Sequence, residues 1–122
     1  MINVTKTFLP PQSEYEVFLK RARDIGWITN NVSIGEGVLV NLNSSISHDT
    51  LIGNYVEIAC GVNISGRCNI ADNVFIGSNS VLSPDVLIGE NTIIGAGSVV
   101  IKDVPANVTI VGNPAKIIKH NE

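Results

Sequence analysis

Aromatic residues are scarce in this chain, at 5% of 122 residues, although 44% of the residues are hydrophobic. A globular core of this size normally contains more large rings, because they contribute much of the buried apolar area. The shortage argues against an ordinary globular core. It favours a narrow interior that stacked Ile and Val side chains can fill.

Other absences limit the class of protein. The net charge is -3 with no run of basic residues, which argues against a nucleic-acid partner. No apolar stretch approaches membrane-spanning length, and no signal peptide is recognisable, so we expect a cytoplasmic protein without a membrane partner. Neither the spacing nor the number of the two cysteines, Cys60 and Cys68, suggests a disulfide or metal framework.

An apolar residue recurs at every sixth position from residue 28 to residue 100. Such self-similarity indicates a solenoid, and a period of six residues is typical of a parallel β-helix. A sandwich of alternating strands would not keep this period through so many repeats. We call this set the anchor column, and its members are Ile28, Ile34, Val40, Ile46, Ile52, Ile58, Ile64, Ile70, Ile76, Leu82, Ile88, Ile94 and Val100.

A second column follows each anchor by four residues and holds small or β-branched residues, which suit inward-facing corners. Gly, Asn and Asp are frequent at the remaining positions, where they tolerate the backbone angles of tight turns. Three hexads form one triangular turn, so residues 18 positions apart become vertical neighbours. The repeat predicts an all-β solenoid, namely a left-handed parallel β-helix. The second column is Val32, Val38, Ser44, Thr50, Val56, Val62, Cys68, Val74, Ser80, Val86, Thr92, Ser98 and Val104.

Residues 1–27 break the period and are expected to form a helical cap segment. Ser13 and Glu16 have the spacing of a helix capping box, and Gly26 is the expected stop. A cap at this end would cover strand edges that a terminal repeat leaves unpaired.

Residues 28–105 form the repeat, and residues 106–122 form a C-terminal tail. We expect Ile117 and Ile118 to pack back on the coil. The last few residues are expected to fray.

Several motifs accompany the hexads, and together they resemble the hexapeptide-repeat acyltransferases. The motifs are Gly95–Val100, Asp103–Pro105 and Val111–Lys116. Within that superfamily, Val40–Asn41 and Ser47–Asp49 resemble the sugar acetyltransferases that modify sialic acid or nucleotide-linked amino sugars. The resemblance implies acetyl-CoA as a co-substrate and a homotrimer that binds its small sugar acceptor between neighbouring coils.

The N-terminal segment departs from this branch, whose members usually carry a Rossmann-like subdomain that holds the sugar nucleotide. Leu9–Pro11 and Gly26–Asn30 instead resemble the start of pyridoxal-phosphate-dependent sugar aminotransferases. The segment is far too short to be a transaminase. This second resemblance favours an amino sugar as the acceptor.

Acyl transfer needs a general base, because the attacking amine or hydroxyl must lose a proton, and imidazole suits neutral pH. The resemblance implies His48 as this base, whereas His120 in the tail is expected to be exposed and idle. Asp49 would orient His48 if the corner bends the chain, because adjacent strand residues otherwise point to opposite faces. The alternative for Asp49 is a turn residue that bonds to its own backbone.

Three further residues are candidates around the base. Gly66 is the vertical neighbour of His48, and its N–H is a candidate oxyanion donor, or it is simply a turn glycine. Asn41 is expected to contact the acceptor or position His48, unless it is one of the many corner asparagines. Glu57 stands where some relatives carry a second histidine, and it is either a polar substrate contact or a plain exposed residue.

Binding of CoA needs a groove lined by small side chains for the pantetheine arm, and the resemblance places this groove near the C-terminal coils. Lysines there would meet the phosphates, unless they only aid solubility. The cofactor-binding candidates are Ser78, Gly95, Ala96, Gly97, Ser98, Lys102, Asn113 and Lys116.

We therefore predict an acetyl-CoA-dependent N-acetyltransferase that acts on a nucleotide-linked amino sugar and uses no metal. O-acetylation of a sugar or sialic acid would need the same base and stays open. A non-catalytic trimeric scaffold or truncated remnant also stays open. A zinc carbonic anhydrase on this fold would need three histidine ligands, and the chain has two histidines.

Overall fold

The computed structural model describes residues 2–3 and 28–121. From residue 33 to residue 100, strands of two residues alternate with corners of four residues. The strands are β1 (Ile2–Asn3), β2 (Ser33–Ile34), β3 (Leu39–Val40), β4 (Ser45–Ile46), β5 (Leu51–Ile52), β6 (Glu57–Ile58), β7 (Asn63–Ile64), β8 (Asn69–Ile70), β9 (Phe75–Ile76), β10 (Val81–Leu82), β11 (Leu87–Ile88), β12 (Ile93–Ile94), β13 (Val99–Val100), β14 (Val108–Gly112) and β15 (Ala115–His120).

The strands stack into three sheets, which we call faces A, B and C. Face A runs β1-β2-β5-β8-β11, face B runs β4-β7-β10-β13, and face C runs β3-β6-β9-β12-β14-β15. Parallel neighbours pair residues 18 positions apart, as Ile34 does with Ile52. Only β1 against β2 and β15 against β14 are antiparallel among the described strands. The predicted parallel solenoid with three hexads a turn is confirmed, and it has about four turns.

The core is made by the two predicted columns. Anchor residues from Ile46 to Val100 are 2% exposed or less, and only Val38 and Val40 of the two columns are partly buried. Buried hydroxyls of the second column donate to backbone carbonyls, to the next coil as from Ser44 to Ala59 at 2.7 Å, or within the same corner as from Ser98 to Gly95. Every buried polar side chain of this kind therefore reaches a partner without widening the interior. A stack this narrow has no room for rings, which accounts for the scarcity of aromatics.

The repeat shortens by two residues after Val100. Val104 pairs with Ile88 in an isolated β-bridge. In an unbroken period, Ile88 would instead pair with residue 106, which is 18 positions further along the chain. The assignment of Val104 to the second column is therefore wrong, because Val104 occupies an anchor place in the last coil. The six-residue step then resumes, and Ile110 lies beside Ile94 on face C.

The C-terminal residues form a hairpin, since β15 folds back along β14. Ile118 is 63% exposed, so the expectation that it packs on the coil is wrong, because β15 is the outer strand of face C. Ile117 is 43% exposed and lines a shallow cavity of about 160 Å³ with Ile101 and Ala115. Asn121 donates its N–H to the Asn107 carbonyl at 2.7 Å, so the chain is tied down to this residue instead of fraying.

The helical cap expected within residues 1–27 lies outside the described residues. The boundaries at 27 and 105 stay predictions. In the described part of the chain, no helix is long and apolar enough to cross a membrane. The same residues include no cluster of three or more potential His, Cys, Asp or Glu metal ligands.

Candidate active site

The coil turns at three kinds of corner, and in each the third residue has a positive φ, which favours Asn, Asp and Gly. The histidine corner joins face B to face A at residues 29–32, 47–50, 65–68 and 83–86. The Asn54 corner joins face A to face C at residues 35–38, 53–56, 71–74 and 89–92. The small-residue corner joins face C to face B at residues 41–44, 59–62, 77–80 and 95–98.

His48 and Asp49 are the second and third residues of the histidine corner. The φ of 58° at Asp49 bends the chain, so that two adjacent side chains lie on the same side. Their atoms Nδ1 and Oδ2 are 2.9 Å apart. The bend in the chain that the sequence analysis required for this contact is therefore present. Both side chains are about half exposed, at 48% and 49%, so a substrate in solvent can reach them.

The charge on Asp49 determines which nitrogen of His48 is free. A hydrogen bond from Asn31 and a second one from His48 lower the pKa of the Asp49 carboxyl. An ionised carboxylate only accepts hydrogen bonds, so the proton of a neutral His48 ring resides on Nδ1. Nε2 then carries the lone pair that a general base requires.

Gly66 lies one coil beyond His48, directly beside its ring. A Cβ added at Gly66 would be 2.6 Å from Nε2 and 2.7 Å from Cε1 of His48. The φ of Gly66 is not positive. Glycine is therefore needed here because the imidazole lies against the backbone, and not because the turn requires it. Among the described residues, none accepts a hydrogen bond from the Gly66 N–H.

A polar column that the sequence analysis missed runs along the histidine corner. Asn31 donates from Nδ2 to Oδ1 of Asp49 at 2.8 Å. One coil further, Arg67 donates to both carboxylate oxygens of Asp85, at 2.7 and 3.1 Å. Arg67 holds the pKa of the Asp85 carboxyl below its ordinary value. Stepping by 18 residues from Asp49, as was done from His48 to Gly66, would have found the column.

The structure does not bring Asn41 or Glu57 to His48 within one chain. Asn41 is in the small-residue corner, at the other end of β4, and its Nδ2 donates to the Ile58 carbonyl at 3.1 Å. Glu57 is exposed on face C, which is the face opposite the histidine corner. Neither residue reaches the histidine without a contribution from another chain.

The cofactor-binding candidates divide into two groups. Ser78 and residues 95–98 lie in the small-residue corner, which face B connects to the histidine corner. The Ser98 side chain is buried and donates to the Gly95 carbonyl at 2.6 Å, which leaves only its backbone for a ligand. Lys102, Asn113 and Lys116 are exposed at the C-terminal end of the coil.

A coil of six-residue repeats that carries a histidine–aspartate pair at one corner defines a hexapeptide-repeat protein. Residues 67–102 match the family described as Bacterial transferase hexapeptide (six repeats), and the same six-residue repeat continues through the coil on the N-terminal side of this segment.

The known proteins similar to this chain are acyltransferases. The acyl-[acyl-carrier-protein]–UDP-N-acetylglucosamine O-acyltransferase of Pseudomonas paraeruginosa is 32% identical over 69% of this chain and 33% of its own length. WeeI from Acinetobacter baumannii AYE is 41% identical over 75% of this chain and 45% of that chain, with a TM-score of 0.73. Serine acetyltransferase from Brucella abortus strain S19, solved in complex with coenzyme A, is 26% identical over 90% of this chain and 50% of that chain, with a TM-score of 0.71. The chain spans about one third of the length of the curated relatives it matches.

Proposed function

We propose that this protein is an acyltransferase that moves the acetyl group of acetyl-CoA to the amine of a nucleotide-linked amino sugar. The observation that carries the proposal is the open Nε2 of His48, which Asp49 leaves unprotonated and Gly66 leaves accessible. A half-exposed base against a free backbone N–H is the arrangement that attack on a thioester needs.

The reaction proceeds from the neutral amine of the acceptor. Its nitrogen attacks the thioester carbonyl carbon while Nε2 of His48 takes the proton that the nitrogen loses. The carbonyl oxygen becomes negatively charged, and the Gly66 N–H donates to it. The C–S bond then breaks, and the sulfur of CoA recovers the proton from Nε2. The products are an N-acetylated sugar and free CoA, and His48 returns to its starting state.

The choice of substrates is supported by the relatives. One solved relative holds coenzyme A, and the curated relative from P. paraeruginosa takes its name from a UDP-linked amino sugar. In this chain, the small-residue corner offers Gly95, Ala96 and Gly97 to the pantetheine arm. Lys102 and Lys116 are the cations for the phosphates, and Asn113 lies between the two strands of the hairpin. The candidate contacts to the acceptor remain Asn41 and Glu57, from a neighbouring chain.

O-acetylation is the second candidate function, because the relative from P. paraeruginosa is named an O-acyltransferase. The same Nε2 would accept the proton of a sugar hydroxyl instead of an amine proton. A hydroxyl gains more from a base than a neutral amine does, because the amine is already the stronger nucleophile. Loss of His48 should therefore slow transfer to a hydroxyl more than transfer to an amine, but it slows both, so product analysis has to separate the two acceptors.

The proposal includes a cytoplasmic homotrimer built on left-handed coils. The described residues contain no loop that encloses the half-exposed His48 corner, so a neighbouring coil has to complete the site. Light scattering should give three times the mass of the 13.0 kDa chain. A monomeric mass would remove the shared site.

Thiol release from acetyl-CoA, measured with a panel of UDP- and dTDP-amino sugars, tests the function. We expect turnover with one amino sugar, loss of turnover in His48→Ala, and retention in His120→Ala, which removes the other histidine. Mass spectrometry of the product then assigns the acetyl group to nitrogen or oxygen. Acetyl-CoA binding without turnover on any amine would favour the hydroxyl acceptor. No binding of acetyl-CoA would favour the non-catalytic scaffold.

A further inference from the structure

Asp49 divides its two carboxylate oxygens between two neighbours. Oδ2 contacts Nδ1 of His48 at 2.9 Å, while Oδ1 accepts from Nδ2 of Asn31 at 2.8 Å. Asn31 comes from the preceding coil, so its hydrogen bond ties the corner of His48 to a separate layer of the solenoid. We infer that Asn31 is a positioning residue, which fixes the carboxylate of Asp49 and through it the tautomer of His48.

The exposure of Asp49 is the reason that it needs a second partner. With a side chain 49% exposed, a carboxylate is free to rotate and to exchange its histidine for water. One hydrogen bond from a neutral amide to a charged acceptor is enough to select one rotamer. The hydrogen bond described for the Asn31 side chain is the one to Asp49, and Asn31 has none to the ring of His48, so its influence on His48 passes through Asp49.

The other charged groups near Asp49 do not duplicate this contact. Arg67 is the cation of the column, but its Nε and Nη2 donate to the two carboxylate oxygens of Asp85, and it has no hydrogen bond to Asp49. Its effect on Asp49 is a long-range electrostatic attraction, which does not select one orientation of the carboxylate. Among the described residues, Asn31 alone fixes the orientation of the Asp49 carboxylate independently of His48.

The Asn54 corner provides a matched control. Asn91 has a φ of 57°, against 58° for Asn31, and its Nδ2 donates to Oδ1 of Asn107 at 2.9 Å. The two asparagines therefore share their backbone conformation and their donor group, but the acceptor Asn107 is a neutral amide that follows Ala106, whereas Asp49 follows His48. Glycine is the appropriate replacement at both positions, because it keeps a positive φ without strain. The variants Asn31→Gly and Asn91→Gly lose the same side chain and differ in the acceptor to which that side chain was hydrogen-bonded.

The direct test is nitrogen NMR of the full chain with ¹⁵N-labelled histidine, above the pH at which imidazole titrates. The chain has two histidines, so His120→Gln assigns the signals of His48. The unaltered protein should show one tautomer, with the proton on Nδ1. Asn31→Gly should show a mixture of both tautomers, and Asn91→Gly should show the pattern of the unaltered protein. An unchanged pattern in Asn31→Gly, or an equal change in Asn91→Gly, would overturn the inference.

A second variant covers a failure of Asn31→Gly to fold. Asn31→Asp keeps the size and the tolerance for a positive φ but replaces the donor by a like charge, so it should also mix the tautomers. If it instead keeps a single tautomer, Asn31 has no positioning role.

Only the kinetic consequence of this inference rests on the proposed function. In the acetyl-CoA assay, Asn31→Gly should lower kcat about tenfold, the order expected for one hydrogen bond to a charged group, with KM unchanged. Asn91→Gly should stay within about twofold. The NMR result stands whether or not any acceptor is acetylated, so failure of the assay alone would contradict the proposed function and not the role of Asn31.

Discussion

The histidine corner and the Asn54 corner occupy equivalent places in the repeat but use their polar residues differently. In the Asn54 corner, Oδ1 of Asn54 accepts from the Glu36 N–H at 2.9 Å, and Oδ1 of Asp72 accepts from the Asn54 N–H at 2.8 Å. Each side chain thus caps the backbone of the coil before it. These bonds stabilise the stack, because each engages a side-chain oxygen with a backbone N–H.

In the histidine corner the side chain of His48 instead contacts the coil after it. The ring of His48 lies against Gly66 in the coil after it, and its Nδ1 bonds sideways to Asp49. The N–H of Gly66 is left without a partner among the described residues. One corner therefore satisfies its own backbone, while the other holds a base and a donor open. The Asn54 corner therefore has the features of a structural corner, and the histidine corner has those of a candidate functional site.

Replacing His48 and Asn54 by alanine, one at a time, should separate an effect on activity from an effect on stability. The loss of activity in the His48 variant is the largest effect we expect. His48→Ala should lower kcat of acetyl transfer by about 10²- to 10⁴-fold, the usual contribution of a general base. The urea midpoint should hardly move, because the side chain is half exposed and bonds only to Asp49. Asn54→Ala should retain activity and lose about 0.5–1.5 kcal/mol of stability, since the Glu36 N–H loses its acceptor. Similar losses of activity in both variants would contradict the distinction between the corners.

Adding a methyl group at the two glycines should sharpen the same contrast. Gly66→Ala meets only the His48 ring, so the ring should move and activity should fall by up to about 100-fold, as for a catalytic group displaced by 1 Å. Gly53→Ala instead meets the side-chain Oδ1 of Asp72 and also backbone atoms, namely the Ala71 carbonyl carbon and the Asp72 nitrogen at 2.9 Å. It should lose about 1–3 kcal/mol of stability, because a backbone in a stacked coil cannot give way as a side chain can.

Kinetics and urea unfolding of the two glycine variants decide between these outcomes. An active Gly66→Ala protein would mean that the ring has another productive position. A strongly destabilised Gly66→Ala protein would mean that the glycine serves the coil and not the histidine.

The sequence predicted the fold well because the six-residue period is a property of the whole chain. One apolar residue per strand and one small residue per corner are enough to specify a three-faced coil, and the registers followed from them. The prediction erred at Val104, where two residues are missing from the last turn. The local composition contains no signal for that step, since Val suits an anchor and an inward corner equally.

The site was only partly predictable, because its geometry depends on which corner a residue occupies. His48 was identified by resemblance, and Asp49 and Gly66 then followed from it along the chain and along the vertical spacing. Asn41 and Glu57 were grouped with them by resemblance, yet they lie on another corner and the opposite face. Asn31 was missed, because an asparagine at a corner is ordinary until its neighbour one coil away is known to be Asp49.

The smallest expected effect concerns the acid stability of the histidine corner. The pKa values of Asp49 and Asp85 are lowered in the folded chain, by Asn31 and by Arg67 respectively, from an ordinary value of 3.8. Their stabilising contribution is therefore present at neutral pH, above the pKa of the unfolded chain, and is lost as the pH falls through the lower folded values. The double variant Asp49→Asn/Asp85→Asn should show a smaller drop in urea midpoint between about pH 7 and about pH 3 than the unaltered protein. Because both groups are exposed, the difference should be modest and should shrink further in salt.

The double variant Glu57→Gln/Glu90→Gln supplies the control, since it removes the same net charge from two carboxylates that bond to no described side chain. Its urea midpoint should keep the full dependence on pH. If both double variants lose the same part of that dependence, the acid sensitivity reflects net charge alone. The polar column of the histidine corner would then add nothing measurable to stability, which would leave Asn31 and Asp49 with the orientation of His48 as their role.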